Sequence, residues 1–191
     1  LPSFLEVIQM VKLTVSGNPG SGTSTLVARL EEALGWSSLN GGQVFRDEAE
    51  NRKMSLEDFG KLCLTDLSVD RMLDEILKTK MQESNGPEIV ESRLSGWWAH
   101  KLELSAVRLW VEVSVEERAN RVVKREGGSV AEKMAESKER SKHDNTRFSE
   151  LYQLSPEDTT PYTHILKADT LDADGVLAAT LAILRACEMI S

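Results

Sequence analysis

The sequence predicts an α/β fold: a three-layer sandwich in which a five-stranded parallel sheet carries helices on both faces, with a helical lid. Short apolar runs alternate with longer helical patterns along the 191 residues, and that alternation implies parallel strands joined by crossover helices. With 40% hydrophobic residues, no internal repeat and no linker that would divide it, the chain reads as one domain with one main core. The exception is 127–160, which is highly charged, mostly helical and poor in core-forming residues; it reads as a mobile lid.

Residues 1–9 are mildly apolar without a basic leader, and Met10-Val11-Lys12 is the expected natural start, so 1–9 reads as an N-terminal extension. Val11–Ser16 is the first strand. Ser24–Leu34 is the first helix, with Leu26, Leu30, Ala33 and Leu34 at helical spacing and Gly35 closing it. Trp36–Asn40 forms a strand ended by Gly41-Gly42. Helical segments follow at Val44–Asn51, Ser55–Leu64 and Val69–Met81, and Ser55-Leu56-Glu57-Asp58 has the form of a capping box. Asn85-Gly86-Pro87 is a turn signal before the short strand Glu88–Glu91. Ala106–Val113 is a strand, Val115–Glu126 a helix broken by Gly127-Gly128, and Val130 to about Leu151 the charged helix, which Pro156 and Pro161 end. Thr163–Ala168 is the last strand and Asp174–Met189 the last helix.

A formal net charge of -8 argues against nucleic acid or an anionic membrane surface as partner. No apolar run approaches the ~20 residues of a membrane span. Cys63 and Cys187 stand far apart, outside any CxxC spacing, and read as free thiols in a reducing cytoplasm. His100, His143 and His164 form no metal spacing. Trp97-Trp98 either stacks on a base or packs a core. Ser141-Lys142-His143-Asp144 resembles a guanine-reading S-K-x-D, but it lies in the charged helix and not after a strand, so it carries no weight.

The chemistry centres on Gly17-Asn18-Pro19-Gly20-Ser21-Gly22-Thr23-Ser24-Thr25, between the first strand and the first helix. Strand, glycine-rich turn and helix is the context of a phosphate-binding loop. Its glycines let backbone N–H groups turn inward, and the helix start adds unpaired donors and a positive dipole end. The spacing fits G-x-x-x-x-G-K-[ST] at Gly17, Gly22 and Ser24, with Thr23 where lysine is expected. Phosphoryl transfer needs a phosphate cradle, Mg²⁺ and convergent cations, so the arginines are informative. Arg46 and Arg93 follow the second and third strands. Arg121 and Arg125 share a helix face at i,i+4, and Arg140, Asp144 and Arg147 share a face of the lid helix.

Four stretches occur in order: the glycine loop, Asn40-Gly41-Gly42-Gln43-Val44-Phe45-Arg46, Glu91-Ser92-Arg93-Leu94-Ser95-Gly96-Trp97, and Glu117 to Gly127 with Arg118, Arg121 and Arg125. Together they resemble the archaeal-type cytidylate (CMP) kinases, a branch of the P-loop nucleoside-monophosphate kinases. The resemblance runs from Met10 onward. Members of that branch commonly carry threonine in place of the loop lysine. Asn40, Ser92 and Phe148 stand where serine, glycine and tyrosine are usual.

The resemblance implies a P-loop kinase using ATP and Mg²⁺ to phosphorylate CMP, and dCMP as well, in a monomeric cytoplasmic enzyme. Gly17 to Thr25 would wrap the ATP phosphates, with the Ser24 hydroxyl on Mg²⁺. Arg121 would lie against the adenine. Arg46 and Arg93 would hold the acceptor phosphate, with Gly41, Gly42 and Gly96 beside them. Arg125, Arg140 and Arg147 would close over the transferring phosphate, with Asp144 as an acidic lid residue. An adenylate kinase or another small-acceptor kinase, and a nucleotide-binding module without transfer activity, are the alternatives.

Overall fold

A computed structural model describes residues 11–191; the expected extension at 1–9 lies outside the described residues. In chain order the elements are β1 (Leu13–Gly17), α1 (Thr23–Leu34), β2 (Ser38–Asn40), α2 (Gly41–Asn51), α3 (Leu56–Thr65), α4 (Leu67–Gln82), β3 (Ile89–Glu91), α5 (Ser95–Lys101), β4 (Val107–Glu112), α6 (Val115–Glu126), α7 (Val130–Tyr152), β5 (His164–Lys167) and α8 (Ala173–Ala186). The five strands form one sheet in the order β2-β3-β1-β4-β5, and every pairing is parallel. Leu13 lies opposite both Ile89 and Val107, which makes β1 the central strand. The expected α/β fold with a five-stranded parallel sheet is the one observed.

Side-chain alternation along β1 divides the core between the two faces. Leu13 and Val15 join Leu26 and Leu30 of α1, Leu109 of β4 and Leu184 of α8 in one cluster. Ser16 points the other way, where its hydroxyl lies 3.1 Å from that of Ser95 in α5. On that second face Leu77 and Met81 of α4, Val90 of β3, Trp98 of α5 and Phe148 of α7 form a separate cluster. A third and smaller cluster, Ala49, Phe59, Cys63 and Val69, ties α2, α3 and α4 together.

Side-chain caps fix several helix starts. Ser55 accepts from the Asp58 N–H, which is one half of the predicted capping box. The complete box is at the start of α7, where Ser129 and Glu132 cap each other's backbone N–H. The structure departs from the sequence expectation at α2 and α5. α2 begins at Gly41 instead of Val44, because the Asn40 side chain accepts from the Gln43 N–H and carries both glycines into the first turn. The seven residues of α5 were not anticipated. In 127–160, α7 buries only Phe148 and Leu151, both near its C-terminal end. Among the described residues no helix is long and apolar enough to cross a membrane.

Candidate functional site

The loop after β1 has the geometry its glycines predict. Gly20 and Gly22 take φ +87° and +83°, left-handed values that L side chains adopt only with strain. Gly17 is required for space: a Cβ there would stand 2.9 Å from the Val111 carbonyl oxygen. The Ser21 N–H closes the turn on the Asn18 carbonyl at 3.0 Å. Gly22 is the N-cap of α1 and no side chain caps it, so the first N–H groups of the helix stay available to an anion. The Ser24 hydroxyl donates to Glu91 Oε1 at 3.0 Å, joining the loop to the end of β3.

A cleft of about 700 Å³ opens at the carboxyl ends of β1, β2 and β3. Of the predicted residues it gathers Gly17, Asn18, Pro19, Gly20, Thr23 and Ser24 of the loop, Gly41, Gly42 and Arg46 of α2, Arg93 after β3, and Arg140 and Arg147 of α7. Arg46 is held by Gln43, whose Oε1 accepts at 2.9 Å. The Arg93 side chain is only 18% exposed; its Nη2 lies 3.3 Å from Asp144 Oδ2, and its Nη1 donates to the Gly17 carbonyl at 3.3 Å. Burial lowers the pKa of Arg93, an effect Asp144 partly opposes. Arg147 Nε lies 3.1 Å from Asp70 Oδ2, and its Nη2 lies 3.4 Å from Asp144 Oδ1. A chain of alternating charge, Arg93–Asp144–Arg147–Asp70, therefore runs along the cleft. Within it Arg93 Nε and Nη2 and Arg147 Nε are buried without a well-aligned acceptor. Buried donors left in that state are costly, and an incoming anion would satisfy them.

The remaining predicted residues lie elsewhere. Ser21, Gly22, Thr25 and Arg121 line a second cavity of about 490 Å³ on the α8 side of the loop. There Arg121 is aimed by Glu117, at 2.9 Å, and donates to the Ala168 carbonyl at 2.7 Å. Arg125 lies one turn further along α6, as its i,i+4 spacing implies. It lines a third cavity, between α6 and α7, with Arg140 and Gly20, and its guanidinium is paired to the neighbouring Glu126 at 2.5 Å. Gly96 lines none of these cavities. It is buried under Tyr162, and a Cβ there would stand 2.6 Å from Tyr162 Cε1. Trp97 and Trp98 belong to the core and not to a base-stacking surface.

Sequence reasoning gave no role to several residues that the structure brings to the site. Arg118 is 6% exposed, donates to the Val113 and Pro19 carbonyls at 3.2 and 3.1 Å, and reaches the Ser137 hydroxyl of α7 at 2.8 Å. It ties the phosphate loop to the charged helix, and burial lowers its pKa. Glu91 stands in the sequence reading as a strand end and part of a motif, with no chemical role, yet it lines the main cleft. Asp70 and Asp74 of α4 line the main cleft; their i,i+4 spacing was the available signal, but that spacing is equally common on solvated helix faces. His100, His143 and His164 line none of these three cavities, and among the described residues no three His, Cys, Asp or Glu side chains converge as a metal site.

A protein-family profile described as an AAA domain matches residues 16–146. Among curated proteins the chain is similar to the cytidylate kinase of Archaeoglobus fulgidus, 32% identical over 94% of this chain and 96% of that one. The cytidylate kinase of Natronomonas pharaonis is 36% identical over 91% and 89%, and that of Thermococcus kodakarensis 35% over 89% and 86%. Among solved structures, a gluconokinase from Sinorhizobium meliloti superposes with a TM-score of 0.59 at 16% identity, covering 94% of this chain and 95% of that one. A shikimate kinase from Bacteroides thetaiotaomicron gives 0.58 at 13% identity, covering 93% and 98%. Likeness at such identities speaks for the fold alone.

Proposed function

The chain belongs to the AAA domain family and to the cytidylate kinases, and from that premise we propose that it transfers the γ-phosphoryl group of ATP to CMP, and to dCMP, giving ADP and the diphosphate. The observation that carries the proposal is one cleft in which a lysine-free phosphate loop meets arginines from α2, β3 and α7. The loop N–H groups and the start of α1 would cradle the donor phosphates. Arg121, aimed by Glu117 into the cavity beside Gly22 and Thr25, would lie against the donor base. Arg46 and Arg93 would hold the acceptor phosphate, for which a planar guanidinium offers two parallel donors. Gly41 and Gly42 fit this region by giving the phosphate access to the backbone at the start of α2.

Transfer of this kind needs little from the protein beyond alignment and charge. Both phosphates enter a cleft whose buried donors on Arg93 and Arg147 lack well-aligned acceptors. Arg140 and Arg147, carried on α7, would come over the transferring group as segment 127–160 closes and excludes water. Arg125 joins them only by leaving Glu126. Asp144, between Arg93 and Arg147, would orient both guanidiniums. The Ser24 hydroxyl and the Glu91 carboxylate, 3.0 Å apart, form a pair of hard oxygen donors that suits Mg²⁺, an ion that takes few protein ligands and keeps waters and phosphate oxygens. When bound, Mg²⁺ would neutralise charge on the donor phosphates.

In the same reading the enzyme is a cytoplasmic monomer acting on small nucleotides and not on nucleic acid or membranes. Two free cysteines and a net charge of -8 are in keeping with it. A coupled assay of ADP formation against CMP, dCMP, UMP, AMP and GMP tests the assignment. CMP and dCMP are expected to give the highest kcat/KM; preference for AMP, or ATP binding without turnover on any acceptor, would overturn it.

A further inference from the structure

The α4 wall of the cleft combines apolar surface with two carboxylates. Phe45 of α2, Leu73 of α4 and Phe148 of α7 line the same cleft and offer apolar surface to the faces of a planar ring. Asp70 and Asp74, one helical turn apart on α4, line the same cleft and offer hydrogen-bond acceptors to a ring edge. Asp70 is separated from the proposed phosphate-holding Arg93 by Asp144 and Arg147. Asp70 thus reaches Arg93 only through these two partners, while it lies directly beside Arg147. Asp70 Oδ2 is buried and lacks a well-aligned donor even though Arg147 Nε lies 3.1 Å away. The Asp74 carboxyl is held by the Tyr152 hydroxyl, which donates to Oδ2 at 2.6 Å. Tyr152 is itself fixed edge-on against Trp98, with ring centroids 4.9 Å apart. A carboxylate so firmly oriented on a cleft wall is suited to reading a ligand.

We propose that Asp70 and Asp74 read the base of the acceptor, accepting hydrogen bonds from its exocyclic amino group and thereby admitting aminopyrimidine monophosphates while rejecting their keto counterparts. This rests on the reading of the cleft as a pyrimidine monophosphate site. The chemistry is asymmetric. Cytosine presents an amine at position 4, which an ionised carboxylate accepts. Uracil presents a carbonyl oxygen there, which two carboxylates repel and leave without a donor. A site built around a substrate hydrogen bond discriminates strongly, because the mismatched ligand leaves buried polar groups unpaired. Tyr152 is a positioning residue that acts through Asp74.

The test compares wild type with Asp70→Asn and Asp74→Asn, using CMP and UMP as acceptors. Asparagine keeps an oxygen for Tyr152 and adds an amide donor for a carbonyl at position 4, and thermal melting checks that each variant is folded. The ratio of kcat/KM for CMP over UMP is expected to fall about tenfold or more in at least one variant. The loss should come mainly through KM of the monophosphate, with KM for ATP unchanged; a merely structural carboxylate would not move the ratio. An unchanged ratio in both variants overturns the proposal. Calorimetric titration of CMP and UMP into the same three proteins reads base preference without turnover. A wild type that prefers CMP in binding, loses the preference on substitution and phosphorylates neither would support base reading and sink the kinase reading. One that phosphorylates CMP and keeps its binding preference in both variants would do the reverse.

Discussion

Arg93 shows how this site holds charge in readiness. Its guanidinium is largely buried, and Asp144, its carboxylate partner, is shared with Arg147. Arg93→Lys keeps the charge but loses the planar pair of donors, so it should raise KM for the monophosphate and lower kcat/KM about 10²-fold, as read by steady-state kinetics. Thr23, at the position where related loops place lysine, should tolerate Thr23→Lys with little change in kcat, because charge comes to the cleft from Arg46, Arg93, Arg140 and Arg147. Asp74 gives a pH signature. Burial raises its pKa from 3.8 to about 6, against the pull of the Tyr152 hydrogen bond and with a further push from Asp70. A carboxyl whose folded-state pKa lies above its unfolded one binds protons more tightly when folded. Its contribution to stability is full below pH 3.8 and is lost as pH rises through about 6. Thermal melting of Asp74→Asn should lack this loss, so the variant gains on wild type between those pH values and keeps the gain at pH 7.

At the scale of elements, α5 and α7 explain what the sequence showed and what it hid. α5 is seven residues long, too short for a helical period to register, yet it sets Ser95 beneath Ser16 and Gly96 beneath Tyr162. The same Gly96 was therefore legible as part of a motif but not as a packing residue. Gly96→Ala should destabilise the fold by about 1–3 kcal/mol through overpacking, measured by denaturant melts, with KM for both nucleotides near wild type in the folded fraction. α7 was legible as a charged helix because its high charge and sparse apolar residues, between Gly127-Gly128 and Pro156, lie in the sequence. Its anchorage was not, since it depends on Phe148 meeting a core built from distant segments.

For the whole molecule, the parallel order β2-β3-β1-β4-β5 places the ends of β1 and β3 side by side, and this brings Ser24 to Glu91 across the head of the cleft. The strand and helix alternation was readable chiefly because β1, β3 and β4 are mostly buried apolar runs, whereas β2 and β5 at the sheet edges are only partly buried. The phosphate loop was readable because anion binding demands glycine at Gly20 and Gly22, where φ is positive. Arg121 and Arg125 were readable as a pair on one helix, but their separation into different cavities follows from where α7 and α8 pack. Asp70 and Asp74 were hidden because acids one turn apart look alike on a solvated face and on a cleft wall. The central claim is that this fold performs phosphoryl transfer with arginines in place of a loop lysine. The most direct measurement is kcat of Arg140→Ala with CMP and saturating ATP, beside the ATP dissociation constant. The account predicts a fall in kcat of at least ~10²-fold with ATP binding little changed; turnover near the wild-type rate would contradict it.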